Sequence, residues 1–228
     1  MAEKQGNFTL LNGRVIMKHG IYNPTSDAVW LAAYAPVNAK TVLDIGIGTG
    51  AVSLCLMTRN PNASYTGIDI SKDMLDACKE NMSLNNRTIN LINADILQWS
   101  TPETFDLVVT NPPYFSGTPA IHNAHHGTDI TRWIKRSAAR VRPGGHICII
   151  SDALTTAAVI SALENKNFGD IQIFPLFSTK NSAERVLIRA KQGCKTGTTL
   201  YNGTNMNNES ILRSGLTIDM LLAKITKQ

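Results

Sequence analysis

The 228-residue sequence predicts an α/β protein: a seven-stranded, mostly parallel sheet with one antiparallel strand and an N-terminal hairpin. Three observations carry that expectation. From residue 41 onward, short β-rich runs alternate with stretches that are apolar at helical spacing, which implies right-handed crossovers and a parallel sheet covered on both faces. A glycine-spaced turn, Gly46-Ile47-Gly48-Thr49-Gly50, joins the first such strand to its helix. The last two β-rich runs, 170–177 and 185–190, are joined too closely for a crossover and so pair antiparallel.

In chain order, NFTLLNGRVIMKH reads as a hairpin in which two apolar-alternating runs meet at Asn12-Gly13, a favoured two-residue turn. Asn23-Pro24-Thr25-Ser26 leads into a helix over 27–35, with Ser26 or Thr25 as its cap. Residues 41–45 form a short buried strand and 51–58 a helix. The second strand covers 65–68, and Ser71-Lys72-Asp73 opens a helix running to about residue 85. Residues 89–92 and 107–110 are the third and fourth strands. A helix from about 129 to 141 stops before Pro143-Gly144-Gly145, followed by a fifth strand at 146–150 and a helix at 152–165. Beyond Lys191 the chain is rich in Gly, Thr and Asn and reads as a turn-rich or mobile loop before a short terminal helix. The expected organisation is one domain, 1–228, with an appendage at 1–36, a core at 41–191 and a tail at 192–228.

Composition narrows the classes. With 43% apolar and 17% charged residues, a sizeable core forms and wholesale disorder is excluded. No stretch approaches the roughly 20 apolar residues that cross a bilayer, and MAEKQGNF carries no apolar signal core. The cysteines Cys55, Cys78, Cys148 and Cys194 are scattered without a CxxC pair, which argues against a disulfide framework or zinc site and fits a reducing cytoplasm. The expectation is a cytoplasmic protein, monomer or weak dimer, with no metal and no membrane partner. Net charge is +5, and the basic stretches 132–151 and 185–208 contain no acid. That balance suits a polyanionic partner.

The turn after the first strand reads Asp44-Ile45-Gly46-Ile47-Gly48-Thr49-Gly50-Ala51. Alternate glycines let the backbone turn tightly and approach a ligand with no Cβ in the way. The helix that follows offers free N–H groups and a favourable dipole to electronegative groups. Asp69 closes the second strand, placed to accept from both hydroxyls of a ribose. Gly46-x-Gly48-x-x-Ala51 also satisfies the dinucleotide fingerprint, so a nicotinamide cofactor competes. Asp44, two residues before the first glycine, and Asn93-Ala94-Asp95, closing the third strand where a carboxylate reaches an adenine amine, shift the balance. Together these residues resemble the S-adenosylmethionine site of Rossmann-like class I methyltransferases.

The fourth strand runs directly into Asn111-Pro112-Pro113-Tyr114. In a doubly wound sheet this is the carboxyl edge beside the topological switch, where ligands bind. Two prolines fix φ and stiffen the turn. The Asn111 carboxamide oxygen and the Pro112 carbonyl then form a pair of acceptors, matched to the two N–H groups of a planar exocyclic amine. Accepting both draws the nitrogen toward tetrahedral geometry and stabilises the charge that grows during attack. Tyr114 supplies a stacking face for a base. The alternative is a plain Pro-rich loop after a strand.

In the methyltransferases that this site resembles, such a tetrapeptide serves adenine N6 and cytosine N4 methylation of nucleic acids, and glutamine N5 methylation of release factors. Release-factor enzymes carry a sizeable helical domain before the glycine loop, whereas here 43 residues that begin with a hairpin precede Asp44. The wider pattern is the hairpin, Thr25-Ser26-Asp27-Ala28-Val29-Trp30, D-I-G-x-G-x-G, N-P-P-Y, R-P-G-G and E-R-V-L-I-R-A-K-Q-G. It resembles bacterial methyltransferases that modify adenine N6 in the anticodon loop of a valine tRNA. The likeness runs from residue 8 to 193, with an echo at 209–213. The family usually shows G-T-D where this chain has Thr25-Ser26-Asp27. The resemblance implies S-adenosylmethionine as cofactor, tRNA as partner, and cofactor contacts from Thr25, Asp27, Ile70, Ile96 and Asn111 beside the glycines and acids already named.

Arg132, Arg136 and Arg140 fall at i, i+4 and i+8 and form a basic stripe on one helix face, apart from Trp133. That stripe is either a phosphate track or a solvated face. Arg185, Arg189, Lys191 and Lys195 flank the last strand as RNA contacts or as edge-strand charges against aggregation. His122, His125 and His126 read as loop histidines. Phe8 and Tyr22 either approach the mouth of the pocket or, in the simpler reading, pack in the core.

Overall fold

The structure is a computed structural model that describes residues 6–20, 22–113, 123–179 and 181–225, with 123–129 and 224–225 as backbone alone. Two antiparallel strands, β1 (Asn7–Leu10) and β2 (Val15–Lys18), make a separate hairpin. At its tip Asn12 and Gly13 have φ of 55° and 88°, and the Arg14 N–H donates to Leu11 O at 3.3 Å, a tight turn with both central residues left-handed. Helix α1 (Ser26–Tyr34) follows, buried along almost its whole length.

The main sheet contains β3 (Thr41–Ile45), β4 (Ser64–Asp69), β5 (Asn90–Asn93), β6 (Phe105–Thr110), β7 (Val141–Asp152), β8 (Phe168–Phe177) and β9 (Arg185–Gln192). Two short strands, β10 (Thr199–Leu200) and β11 (Thr204–Asn205), complete it. The order is β5-β4-β3-β6-β7-β9-β8, with β10 and β11 both on the outer edge of β8. Every pairing is parallel except those of β9 with β7 and β8. A single reversed strand is as expected, but among the described residues the sheet has nine strands rather than seven. The extra pair lies in the segment expected to be a loop, where β8's open edge offers hydrogen bonds that a sequence pattern cannot display.

Helices α2 (Ala51–Met57), α3 (Lys72–Leu84), α4 (Asn123–Ala138) and α5 (Thr156–Glu164) form the crossovers, the last entered through a 3₁₀ turn at Ala153–Thr155. Helix α4 begins earlier than expected, so His125 and His126 lie on helical backbone rather than in a loop. β7 also begins earlier: Val141 pairs with Phe105 and His146 with Leu107, so Arg142–Gly145 bulge out of the ladder. Two short helices, α6 (Glu209–Leu212) and α7 (Ile218–Ile225), close the chain. Ile211 and Ile218 are fully buried, and the Trp30 Nε1–H donates to Met206 O at 3.0 Å, so this tail packs on α1.

Each sheet face carries its own core. One cluster joins α1, α2 and α3 with the hairpin; the other joins Ile130, Ile134 and Ala138 of α4 to Val159, Ala162 and Leu163 of α5. Strands in the middle supply both, Val42 to the first and Leu43 to the second. Each such aliphatic side chain stabilises the fold by about 1.5–3 kcal/mol. Crossovers leave β3 toward β4 and β6 toward β7, in opposite directions. Ile45 and Thr110 face each other across the β3–β6 pairing, so the chain after both strands emerges at the switch point.

Candidate active site

The glycine loop leaves β3 at Ile45. Gly46, Gly48 and Gly50 have φ of 71°, 53° and 87°, the left-handed region that glycine alone adopts freely. A Cβ on Gly50 would lie 2.7 Å from Cys78 Sγ, whereas one on Gly48 would meet nothing within 4 Å. Gly50 is therefore demanded by packing as well as conformation, while Gly48 faces open space. The N–H groups of Gly46 and Ile47 both donate to Ile68 O, at 2.9 and 3.1 Å. Asp44 lies behind the loop, 1% exposed, and accepts from Ser53 Oγ at 2.7 Å. Burial pushes its carboxyl up to about 7, against the hydrogen bond from Ser53.

Three side chains fix the neighbouring strand ends. Asp69 accepts the Gly48 N–H on Oδ2 and the Ser71 N–H on Oδ1, each at 2.9 Å. The Asn93 amide donates to Asp69 O at 3.1 Å and to Ile70 O at 2.9 Å, tying β5 to β4. Asp95 accepts the Leu97 N–H at 2.8 Å. Helix α3 steadies the loop from below through Asn81, which accepts the Lys18 N–H and donates to Thr49 O, both at 2.9 Å. Asn85, the residue that caps α3, pairs with both backbone groups of Ile16, so the end of α3 is fastened to the edge of β2.

These elements enclose a cavity of about 540 Å³, within the range of small-molecule sites. Its walls include Gly46, Gly48, Asp69, Ile70, Asp95, Ile96, Thr25 and the turn Asn111, Pro112 and Pro113. Ile70 is 70% exposed, an apolar shelf over the mouth. The two sequence motifs, 61 residues apart between Gly50 and Asn111, thus meet in one cavity. Tyr114 lies outside the described residues, as does His122.

Other expected contacts lie elsewhere. Asp27 is buried against the Arg185 guanidinium at 3.3 Å, and Arg185 also reaches Asp152 at 3.8 Å. Neither Asp27 nor Arg185 lines the cavity; they form an ion pair that holds α1 on β9. Asp44 and Gly50 support the loop without lining the cavity. Arg132 and Arg136 are exposed on α4, off the cavity wall, whereas Arg140 lies over Trp99 and donates to Thr101 O. Lys191 and Lys195 sit at or beyond the far end of antiparallel β9, opposite the site edge. Arg189 is held by Asp219 at 3.0 Å and lies over the Tyr34 ring.

The cavity also gains a residue that pattern reading left between pocket mouth and core, and one that it passed over. Tyr22 lines it and is half-exposed, while Phe8 packs with His19 at 4.8 Å in the hairpin. Trp133 lines it from α4, one helical turn after Ile130 and so on the core-facing side, the signal that its spacing carried. Asn81, a poor helix former inside α3, and Asn85, which caps its C-terminal end, are the comparable signal there. Among the described residues no three His, Cys, Asp or Glu side chains group as a metal site requires, and no helix is long and apolar enough to cross a membrane.

A mostly parallel sheet of order β5-β4-β3-β6-β7-β9-β8, with its cavity at the switch point, is the Rossmann-like class I methyltransferase fold. The methyltransferase small domain family model matches residues 25–174, and the chain belongs to that family. It is 34% identical over 137 residues to the tRNA1(Val) (adenine(37)-N6)-methyltransferase of Glaesserella parasuis, covering 55% of this chain and 57% of that one. A release factor glutamine methyltransferase of Rhodopirellula baltica is 32% identical over 173 residues, covering 67% and 57%. The chain spans little more than half the length of these curated relatives. A predicted O-methyltransferase of Agrobacterium tumefaciens shares the fold, with a TM-score of 0.65 at 24% identity over 79% of this chain and 87% of its own.

Proposed function

We propose that this protein transfers a methyl group from S-adenosylmethionine to an exocyclic amine, adenine N6 in the anticodon loop of a tRNA. The observation that carries the reading is the meeting of the glycine loop and the Asn111–Pro113 turn in one cavity. The residues fit the cofactor. Gly48 leaves open space at its α-carbon, and Asp69 is anchored by two backbone N–H groups with acceptor capacity left for a ribose diol. Ile70 and Ile96 offer apolar faces to an adenine, and Asp95 an acceptor to its amine.

When bound, S-adenosylmethionine supplies an electrophilic methyl on a sulfonium with a neutral leaving thioether. Asn111 and the Pro112 carbonyl accept the two amine N–H groups, orient the nitrogen in line and stabilise its developing positive charge. Tyr114, next in the chain, provides the stacking face for the base. The product ammonium is acidic enough to release its proton to water, so no strong general base is required. Exposed Arg132 and Arg136 track the phosphates of the strand that enters. The chain acts as one catalytic domain in the cytoplasm, where its tRNA resides.

Relatives named as tRNA adenine-N6 methyltransferases support adenine over glutamine, while the release-factor relative keeps a protein glutamine as the second reading. One experiment separates them. Unmodified tRNA and a release factor are each incubated with isotope-labelled cofactor, followed by nucleoside and peptide mass spectrometry. The expected product is N6-methyladenosine in tRNA; label on a glutamine, with none on adenosine, reverses the assignment.

A further inference from the structure

The Trp133 ring stands against the glycine loop: a Cβ on Gly46 would lie 3.3 Å from its Cζ2. Its Nε1–H donates to Thr110 Oγ1 at 3.0 Å, and that hydroxyl donates in turn to Ile45 O at 2.9 Å. Thr110 is fully buried. An indole N–H only donates, and a hydroxyl has one hydrogen, so the direction of both bonds is fixed. Ile45 immediately precedes the glycine loop and Thr110 immediately precedes Asn111. One hydroxyl thus joins the strand that presents the loop, the strand that presents the turn and the helix that walls the cavity between them.

We propose that Trp133 is a positioning residue for methyl transfer: through Thr110 it fixes the offset between the glycine loop and the Asn111–Pro113 turn, and its ring walls the methyl-bearing end of the donor site. The inference rests on the methyl-transfer reading above. In-line displacement depends steeply on how the two reacting groups are held relative to one another, and here different strands hold them. A tryptophan face also favours a cation, the character of a sulfonium.

The test uses Trp133→Phe, which keeps a ring and loses the donor, and Trp133→Leu, which loses both. Thr110→Ser and Thr110→Val keep and lose the hydroxyl. Thermal melts check that each variant is folded. Sinefungin, an analogue that carries an ammonium where the cofactor has its sulfonium methyl, is titrated by calorimetry and by tryptophan emission, and single-turnover transfer is measured on an unmodified tRNA transcript. Emission should change on titrating the wild type, and Trp133→Phe should abolish that change. Trp133→Phe and Thr110→Val should bind the analogue within about threefold of wild type yet transfer about tenfold slower or worse, with KM for tRNA unchanged. Thr110→Ser should restore the rate, and Trp133→Leu should also weaken binding about tenfold. Wild-type transfer by Trp133→Phe, or an emission change that survives the substitution, overturns the proposal. If the wild type binds the analogue but methylates no tRNA, the substrate assignment falls separately. The affinities of Trp133→Phe and Trp133→Leu then decide this inference, and equal values overturn it.

Discussion

Asp69 and Gly48 are joined by a hydrogen bond of 2.9 Å from the Gly48 N–H to the Asp69 carboxylate, so the acid at the end of β4 shapes the glycine loop. A second bond, from the Ser71 N–H, holds the other carboxylate oxygen. Asp69→Ala removes both anchors together with the acceptor for a ribose. Charge-assisted bonds contribute about 1.5–3 kcal/mol each, so cofactor affinity should fall on the order of 10²-fold. Calorimetric titration with S-adenosylhomocysteine checks this, and unchanged affinity would sink the ribose assignment.

Asn111 should behave oppositely. Asn111→Ala leaves the Asp69 and glycine contacts in place, so cofactor binding stays near wild type. Transfer should drop about 10²–10³-fold, as when one preorganised charge-stabilising contact is lost. A variant that weakened cofactor binding and left the rate at saturation intact would move Asn111 out of the transfer step.

Gly67 tests packing. A Cβ built there sits 2.2 Å from Ile47 Cδ1 and 3.2 Å from Ile47 Cβ, so Gly67→Ala forces Ile47 off its place in the loop. Overpacking of this kind costs about 1–3 kcal/mol. Chemical denaturation should show that loss, and adding Ile47→Val should recover part of it. The same loss in the double variant would point to the backbone instead.

Asp44 and Asp106 should move stability in opposite directions with pH. Burial raises Asp44 to about 7, so the folded state keeps a proton that the unfolded chain releases near pH 4. Its ionisation therefore erodes stability as pH rises from about 4 to 7. Asp44→Asn, which still accepts from Ser53, should match wild type near pH 4 and gain on it by pH 8 in thermal melts.

Asp106 is the converse case. Burial pushes it upward, but bonds from Arg142, Thr41 and Lys40 outweigh that and hold it at about 2. Its contribution is complete above the unfolded value near 4 and fades as pH falls toward 2. Asp106→Asn should melt below wild type at pH 7, with the gap closing by pH 2; a gap constant with pH would show that charge plays no part.

Most of the sheet and both motifs were legible because they are local. Gly46, Gly48 and Gly50 announce a left-handed turn through their missing Cβ, and the prolines after Asn111 announce a stiff one. The alternation of strand and helix fixes handedness, and hence that both turns lie on the same edge. What sequence spacing leaves open is which side chain a distant element presents. Asp27 carries a cofactor-like motif but meets Arg185, which is 158 residues away. Trp133 reads as a helix-face aromatic until α4 docks its indole on Thr110, and β10 and β11 exist because β8 has an open edge. The order of elements determined the position of the site, since connection rules act through chain neighbours. The identity of its walls was decided by tertiary packing, where contacts form between residues that no periodicity relates.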